Sequence, residues 1–308
     1  MGTTQRWTDE AVMLESERWV HVPATSILTE NGERLLVHPP SRRGTSRVWR
    51  SWPTRGRAVG LILETIEEVR ESGGGRLVWH TGDGASPPFM DDLLSRHGFE
   101  KTEDLEVLAF ELGDDPRPRL PRLDGRDLRV DLVRDAAGLR EAHAIESRVF
   151  PHSPELTDPE IRDYLRGVEA PWSRKPEPDY ADARTLRFLA FVSDPVNRGE
   201  RAVATAGAQV VGETVRLWGA GTLAEHRGQG AYRALVVERC RLAHALCATL
   251  ALTKANTATS APLLRNAGFR PVASERRHAL QIPDEDRPTT SPTDHRQRNT
   301  FNHYKLRQ

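Results

Sequence analysis

The sequence predicts an α/β protein of the α+β type, made of two domains that each carry a mixed, mostly antiparallel sheet flanked by helices. Three observations lead there. An extended run at residues 215–222 is followed by a turn holding Gly228 and Gly230, then by an amphipathic helical run to about residue 246. The order helix, strand, loop, short helix and Gly-Phe occurs twice. Leu93-Leu94-Ser95-Arg96-His97-Gly98-Phe99 and Leu263-Leu264-Arg265-Asn266-Ala267-Gly268-Phe269 share their outer residues, a sign of duplication at the scale of a domain. A stretch rich in proline and charge, from Gly113 to Pro121, separates the copies.

The first copy is placed at residues 1–115. Short strands are expected at residues 19–22, 34–37 and 47–49. Val59, Ile62, Leu63, Ile66 and Val69 follow the i, i+3, i+4, i+7 spacing of an amphipathic helix, which Gly73-Gly74-Gly75 ends. Residues 76–80 read as a buried strand, 89–96 as a short helix and 104–112 as a further strand. This copy shows no long first helix and no convincing glycine turn, since Gly60 falls inside the apolar pattern after Arg55-Gly56-Arg57. It reads as a degenerate, structural copy, with His80 as a plain surface or hydrogen-bonded strand-end histidine.

A linker is expected at 116–125, a second domain at 126–283 and a mobile polar tail at 284–308. Within the second domain, a strand at 128–132 precedes a helix capped by Asp135 and stopped by Pro151. Asp158 and Pro159 start another helix, and residues 169–182 form a polar loop. Strands at 186–192, 202–211 and 215–222 follow, the last two joined at Gly212-Glu213, and Thr249 opens one more strand.

Composition narrows the function. Charged residues make up 29% of the 308 and hydrophobic ones 37%, with a formal net charge of zero. A nucleic-acid or membrane-surface partner is therefore not expected. No apolar run reaches the length of a membrane span, and residues 1–10 lack the apolar core of a signal peptide. Cys240 and Cys247 stand one heptad apart on the expected helix, too far for a disulfide. A cytoplasmic monomer or homodimer without metal is the expectation.

The turn after residue 222 carries the chemistry. Glycines at 228 and 230 permit φ > 0, and the N–H groups at a helix start lack intrahelical partners, so a strand, such a turn and a helix make an anion site suited to a pyrophosphate. A Walker A ending and the GxGxxG spacing are both absent. The turn resembles the acetyl-CoA loop of the GCN5-related N-acetyltransferases, Q/R-x-x-G-x-G/A, with Arg227, Gly230 and Tyr232 in its R, G and final positions. Tyr232 departs from the usual Gly or Ala. Downstream, Thr249-Leu250-Ala251-Leu252-Thr253 resembles the family's fifth strand, with Asn256 just past it, and the Gly268-Phe269 ending resembles its closing helix.

The resemblance implies transfer of an acetyl group from acetyl-CoA to the amine of a small-molecule or peptide acceptor. It implies cofactor contacts at Thr222 and Leu223, where the fourth strand ends, and at Arg227, Gly228, Gln229, Gly230, Ala231, Tyr232 and Asn256. The family's frequent tyrosine acid falls on Leu264, so that acid is absent. Ser260 is the substitute, and Glu146 and His152 are the candidates for proton removal, with Glu225 a surface position. The alternatives are a non-catalytic acyl-CoA-binding or regulatory module and a purely structural protein.

Overall fold

A computed structural model describes residues 7–22, 26–39, 44–120, 128–150, 155–170, 183–194 and 199–283. His152, the tail at 284–308, residues 121–125 of the expected linker and most of the loop at 169–182 lie outside the described residues. The first half contains α1 (Asp9–Glu17), β1 (Ile27–Glu30), β2 (Arg34–His38), β3 (Thr45–Ser51), α2 (Ala58–Glu71), β4 (Gly75–Gly82), α3 (Met90–Arg96) and β5 (Glu100–Glu111). The second contains β6 (Leu128–Leu132), α4 (Ala136–Val149), α5 (Asp158–Glu169), β7 (Arg184–Asp194), β8 (Gly199–Val211), β9 (Thr214–Thr222), α6 (Ala231–Ala245), β10 (Leu250–Asn256), α7 (Ser260–Asn266) and β11 (Arg270–Ile282).

Local chemistry places these elements. Asp135 accepts from Gly138 N at 2.7 Å and starts α4, while Thr157 and Glu160 form a reciprocal capping box on α5. Leu61, Ile62 and Val69 of α2 are buried at helical spacing. Residues 19–22, expected as a strand, form none and pair with no described strand. Cys247 lies beyond the end of α6, exposed and with φ of 66°, rather than on the helix, whereas Cys240 is buried and its thiol is pushed up to about 12 by that burial.

The mixed, mostly antiparallel sheet flanked by helices is as expected, but the halves do not hold separate sheets. All eleven strands join in the order β1-β2-β3-β4-β11-β5-β10-β9-β8-β7-β6, with only β3–β4 and β9–β10 parallel. The last described strand, β11, sits between β4 and β5 of the first half, and β5 pairs in turn with β10. Each half therefore completes the other's ladder, a correction to the picture of two sheets joined by a linker.

Both faces are covered. On one, α2 and α3 close a core with Leu36, Val48, Leu77 and Trp79, and α6 and α7 close another with Phe188, Val215, Leu217 and Phe269. On the other, Val12 of α1 packs on Val107 and Leu252, and α4 and α5 pack on Leu189 and Ala202. None of the described helices is long and apolar enough to cross a membrane.

The seam between the halves is polar. His80 of β4 is buried, stacks on Trp49 at 4.5 Å between centroids, and stands 4.0 Å from Glu275 of β11. Glu275 forms a 2.7 Å ion pair with Lys254 of β10. Burial pushes the His80 pKa down to about 3. Burial alone would raise Glu275, but Lys254 and then His80 hold it down to about 2. A neutral buried histidine lets the unfolded chain bind more protons, so stability is lost as pH falls from about 6.5 towards the folded value. The denaturation midpoint is expected to drop across that interval, and His80→Phe, which keeps the ring stack without the titration, to flatten the slope; urea melts at stepped pH measure it.

Gly82 closes the same seam. Its φ is +113°, and a Cβ there would meet Ser274 O at 2.3 Å. Gly82→Ala is expected to cost about 1–3 kcal/mol, read in urea as one transition for both halves because they share the sheet.

Candidate functional site

The site begins where two parallel strands part. β9 and β10 pair from Leu250↔Thr214 to Thr253↔Leu217, and no further. Thr253 Oγ1 donates to Leu217 O at 3.0 Å, satisfying the last carbonyl at the fork. Beyond it, β9 stays with β8 and β10 with β5. A bulge opens the fork: between Thr205 and Gly207 of β8, β9 advances from Gly221 to Trp218. Trp218 lies so close over Gly207 that a Cβ on Gly207 would meet its ring at 2.5 Å. From the opposite face, the buried Arg239 of α6 donates to Gly207 O at 3.0 Å and to Leu235 O at 3.1 Å, with Trp218 O at 3.5 Å. One buried cation thus ties α6 to both strands at the bulge.

After the bulge the ladder alternates. Leu223 N donates to Val203 O at 3.0 Å, so the preceding Thr222 turns its N–H and C=O away from β8 and towards the fork. Leu223 itself is buried against α4, and its carbonyl accepts from His226 N at 2.9 Å. Both of its backbone groups are spent, so Leu223 is not a donor to a ligand, contrary to the expectation from sequence. The Thr222 N–H meets no backbone acceptor among the described residues, while its carbonyl accepts from Arg227 Nε at 3.3 Å.

A short 3-10 turn, Ala224–His226, leads into Arg227-Gly228-Gln229-Gly230. Gly228 has φ of 73° and Gly230 φ of 90°, and no side chain caps α6. The N–H groups of Gly228, Gly230, Ala231 and Tyr232 meet no acceptor among the described residues. They open on a cleft of about 220 Å³ bordered by Thr222, His226, Arg227, Arg233 and Leu263. Backbone donors, a helix start and two arginines give this cleft a positive electrostatic character. Gln229 turns aside, with Nε2 donating to Glu225 O at 3.2 Å.

The remaining expected site residues are dispersed. Asn256 ends β10 in a local turn, its Oδ1 accepting from Ala258 N at 3.0 Å and Thr259 Oγ1 at 3.3 Å. Ser260 starts α7; burial raises the pKa of Tyr232, with Arg239 and then Ser260 opposing. Leu264 is 1% exposed in the core under α7. Glu225 is exposed and pairs with Arg148 at 3.2 Å and Arg201 at 3.5 Å. Glu146 lies on the other side of the sheet from the anion cleft, and its Oε2 accepts from Arg187 Nη1 at 3.0 Å. Its second oxygen points to the bulge, 3.6 Å from where a Gly219 side chain would begin. Arg187 lies over Trp218 at 4.2 Å. Arg187 and Trp218 escaped the sequence reading because they come from separate strands; the bulge alone brings them to the fork.

The first half repeats the fork and seals it. β3 and β4 pair up to Val48↔Trp79 and part there. Ser51 N then donates to Ala85 O at 2.8 Å, and Trp79 Nε1 to Ser51 Oγ at 3.1 Å, so the loop after β4 and an indole fill the gap. At the start of α2, Thr54 O accepts from both Arg57 N and Ala58 N, and Arg57 pairs with Glu33 at 3.0 Å and Glu64 at 2.5 Å. Two carboxylates stand where the other half offers free donors.

Neither a protein-family profile nor a curated protein matches this sequence. Solved structures do match by shape. A GCN5-related N-acetyltransferase from Kribbella flavida has a TM-score of 0.58 at 18% identity, over 87% of this chain and 93% of that one. One from Sphaerobacter thermophilus has 0.56 at 17%, over 83% and 82%. A tandem GNAT protein from the clavulanic acid biosynthesis pathway has 0.52 at 15%, over 90% and 88%. At these identities the likeness establishes the fold.

Because Leu264 is sealed in a close-packed core, Leu264→Tyr is expected to overpack it and cost about 1–3 kcal/mol. A lowered urea midpoint measures this; an unchanged midpoint would place the side chain in open space instead.

Proposed function

We propose that this chain, which has the fold of the GCN5-related N-acetyltransferases, transfers an acetyl group from acetyl-CoA to an amine acceptor. The observation that carries the reading is the conjunction, in the second half only, of an open fork with a turn of unspent N–H groups at its mouth. The chemistry of the donors fits a pyrophosphate. Gly228, Gly230, Ala231 and Tyr232 would donate to it through the backbone, with charge from Arg227 and Arg233. The fork has the form of a slot for the pantetheine arm, and the Thr222 N–H is its preset donor, needing no reorganisation to meet the arm or the thioester oxygen.

In such a transfer the amine nitrogen bonds to the thioester carbon, the C–S bond breaks, and sulfur leaves with the bonding electrons. A thiol pKa near 8.5 makes that departure easy without a dedicated acid. The absence of a tyrosine at Leu264 is consistent with this. Glu146, held by Arg187 at 3.0 Å, is oriented at the bulge with one oxygen unengaged by Arg187, suited to receive an ammonium proton through water. A non-catalytic acyl-CoA-binding module is the second reading, favoured by the burial of Leu264 where an acid would stand. Thiol release from acetyl-CoA across an amine panel separates the two.

One acetyl-CoA is expected per chain in calorimetric titration. Gly230→Val, at φ of 90°, should abolish binding. Arg227→Ala should weaken it by about 1.5–3 kcal/mol, the range for a hydrogen bond to a charged group. Gly56→Val should leave it unchanged. Two sites per chain, or an effect of Gly56 with none of Gly230, would overturn the assignment.

A further inference from the structure

Two glycines of β9 differ in what stands over them. Gly221 is covered: a Cβ there would meet Val149 Cγ1 at 3.0 Å and Phe150 Cε2 at 3.2 Å, so the end of α4 rests on bare backbone. Gly219 is open. Chain neighbours aside, a Cβ there would come within 4 Å of two described atoms, Glu146 Oε1 at 3.6 Å and Arg187 Nη1 at 4.0 Å. Both are polar tips, not packing groups. The φ of Gly219 is +58°, a left-handed backbone that Gly and Asn adopt at least cost.

The carboxylate facing this space is fixed. Arg187 holds its Oε2 at 3.0 Å and lies over Trp218 at 4.2 Å, and the Arg187 backbone N–H donates to Tyr164 Oη at 3.1 Å. Glu146 Oε1 is left to the space over Gly219. Gly219 and Ala220 are also the two residues that the bulge takes out of register with β8. Their position along the fork is telling. β9 and β10 part after Leu217↔Thr253, and the turn with its backbone donors lies beyond Thr222. An extended arm anchored at the turn enters past Thr222, and its far end lies deepest, towards the parting point. Gly219 is two residues from that point.

We infer that Gly219 is a positioning residue for the acceptor: the reacting nitrogen stands over it and donates to Glu146 Oε1. A side chain at this position would take the place of the amine. For the thioester this rests on the acetyltransferase reading; for the amine it rests on the placement of Gly219, Glu146 and Arg187. As the nitrogen bonds to the thioester carbon, its proton passes to Oε1, the C–S bond breaks and sulfur keeps the bonding pair.

The test uses the full chain with acetyl-CoA and reads thiol release with propylamine, benzylamine, glycinamide and glycylglycine. At least one is expected to turn over. Gly219→Asn suits the left-handed backbone and puts an amide before Glu146. It should lower kcat/KM for that amine at least tenfold while keeping acetyl-CoA affinity and the urea midpoint. Glu146→Gln should lower kcat/KM by a similar factor, and the double variant no further, since both changes remove one seat. Turnover kept in Gly219→Asn, or losses that multiply in the double variant, would overturn the inference. So would a midpoint that falls as far as in Gly82→Ala, where packing excludes the side chain. Calorimetric titration of the same amines onto the chain saturated with CoA separates the seat from the reaction. Binding that both variants remove, without thiol release in the wild type, would count against acetyl transfer and leave the seat standing. Neither binding nor release by any amine would overturn it.

Discussion

The structure depends on where its last strand goes. β11 enters the sheet between β4 and β5, so the ladder of the first half is closed by the end of the chain. Without it, β4 and β5 would each present an unpaired edge, with the exposure of backbone donors and acceptors that folded proteins avoid. The exchange also brings together His80 and Glu275, both buried, and the nearly buried Lys254, from β4, β11 and, across β5, β10. Buried ion pairs add little net stability, because desolvation offsets their attraction, but breaking one partner is costly. Their effect here is on register: a slip of β11 by one residue would turn Glu275 to the other face and leave Lys254 buried without its carboxylate.

The two forks show how one architecture yields two outcomes. In both halves a parallel pair parts after a short common stretch, Val48↔Trp79 in one and Leu217↔Thr253 in the other. In the first, a tryptophan occupies the position that threonine holds in the second, and its indole and the Ala85 loop fill the space. In the second, Thr253 satisfies a carbonyl without filling the gap, and Arg239 holds the bulge from behind. The helix starts differ in the same sense. Arg57 is drawn onto Glu33 and Glu64, while Arg227 and Arg233 line an open cleft. Volume at one strand position and charge at one helix start separate a closed copy from an open one.

The closed copy also reaches the second half, on the face opposite the cleft. The segment before β1 brings His21 to Trp218. The two rings come from different halves of the chain and meet over one sheet.

Local sequence determined the turn and its surroundings. The glycines at 228 and 230, the amphipathic pattern of α6, the capping of α4 and α5 and the doubled Gly-Phe order all act over a few residues, where backbone sterics and periodicity decide the outcome. The open donors of the turn were legible for the same reason. What only the tertiary structure decided was β11, the fate of Leu223 and the assembly of Arg187, Trp218 and His21. In β11, Glu275, Arg276, Arg277 and His278 break any apolar alternation, and each finds its counter-charge on another strand or helix: Lys254, Asp91, Glu103 and again Asp91. A central strand built on matched charges looks like a loop until its partners are known. Leu223 reads as a donor by position and is spent by a carbonyl of β8. Contacts between residues far apart in the chain leave no period in the sequence, and that is where the candidate acceptor side of this site was decided.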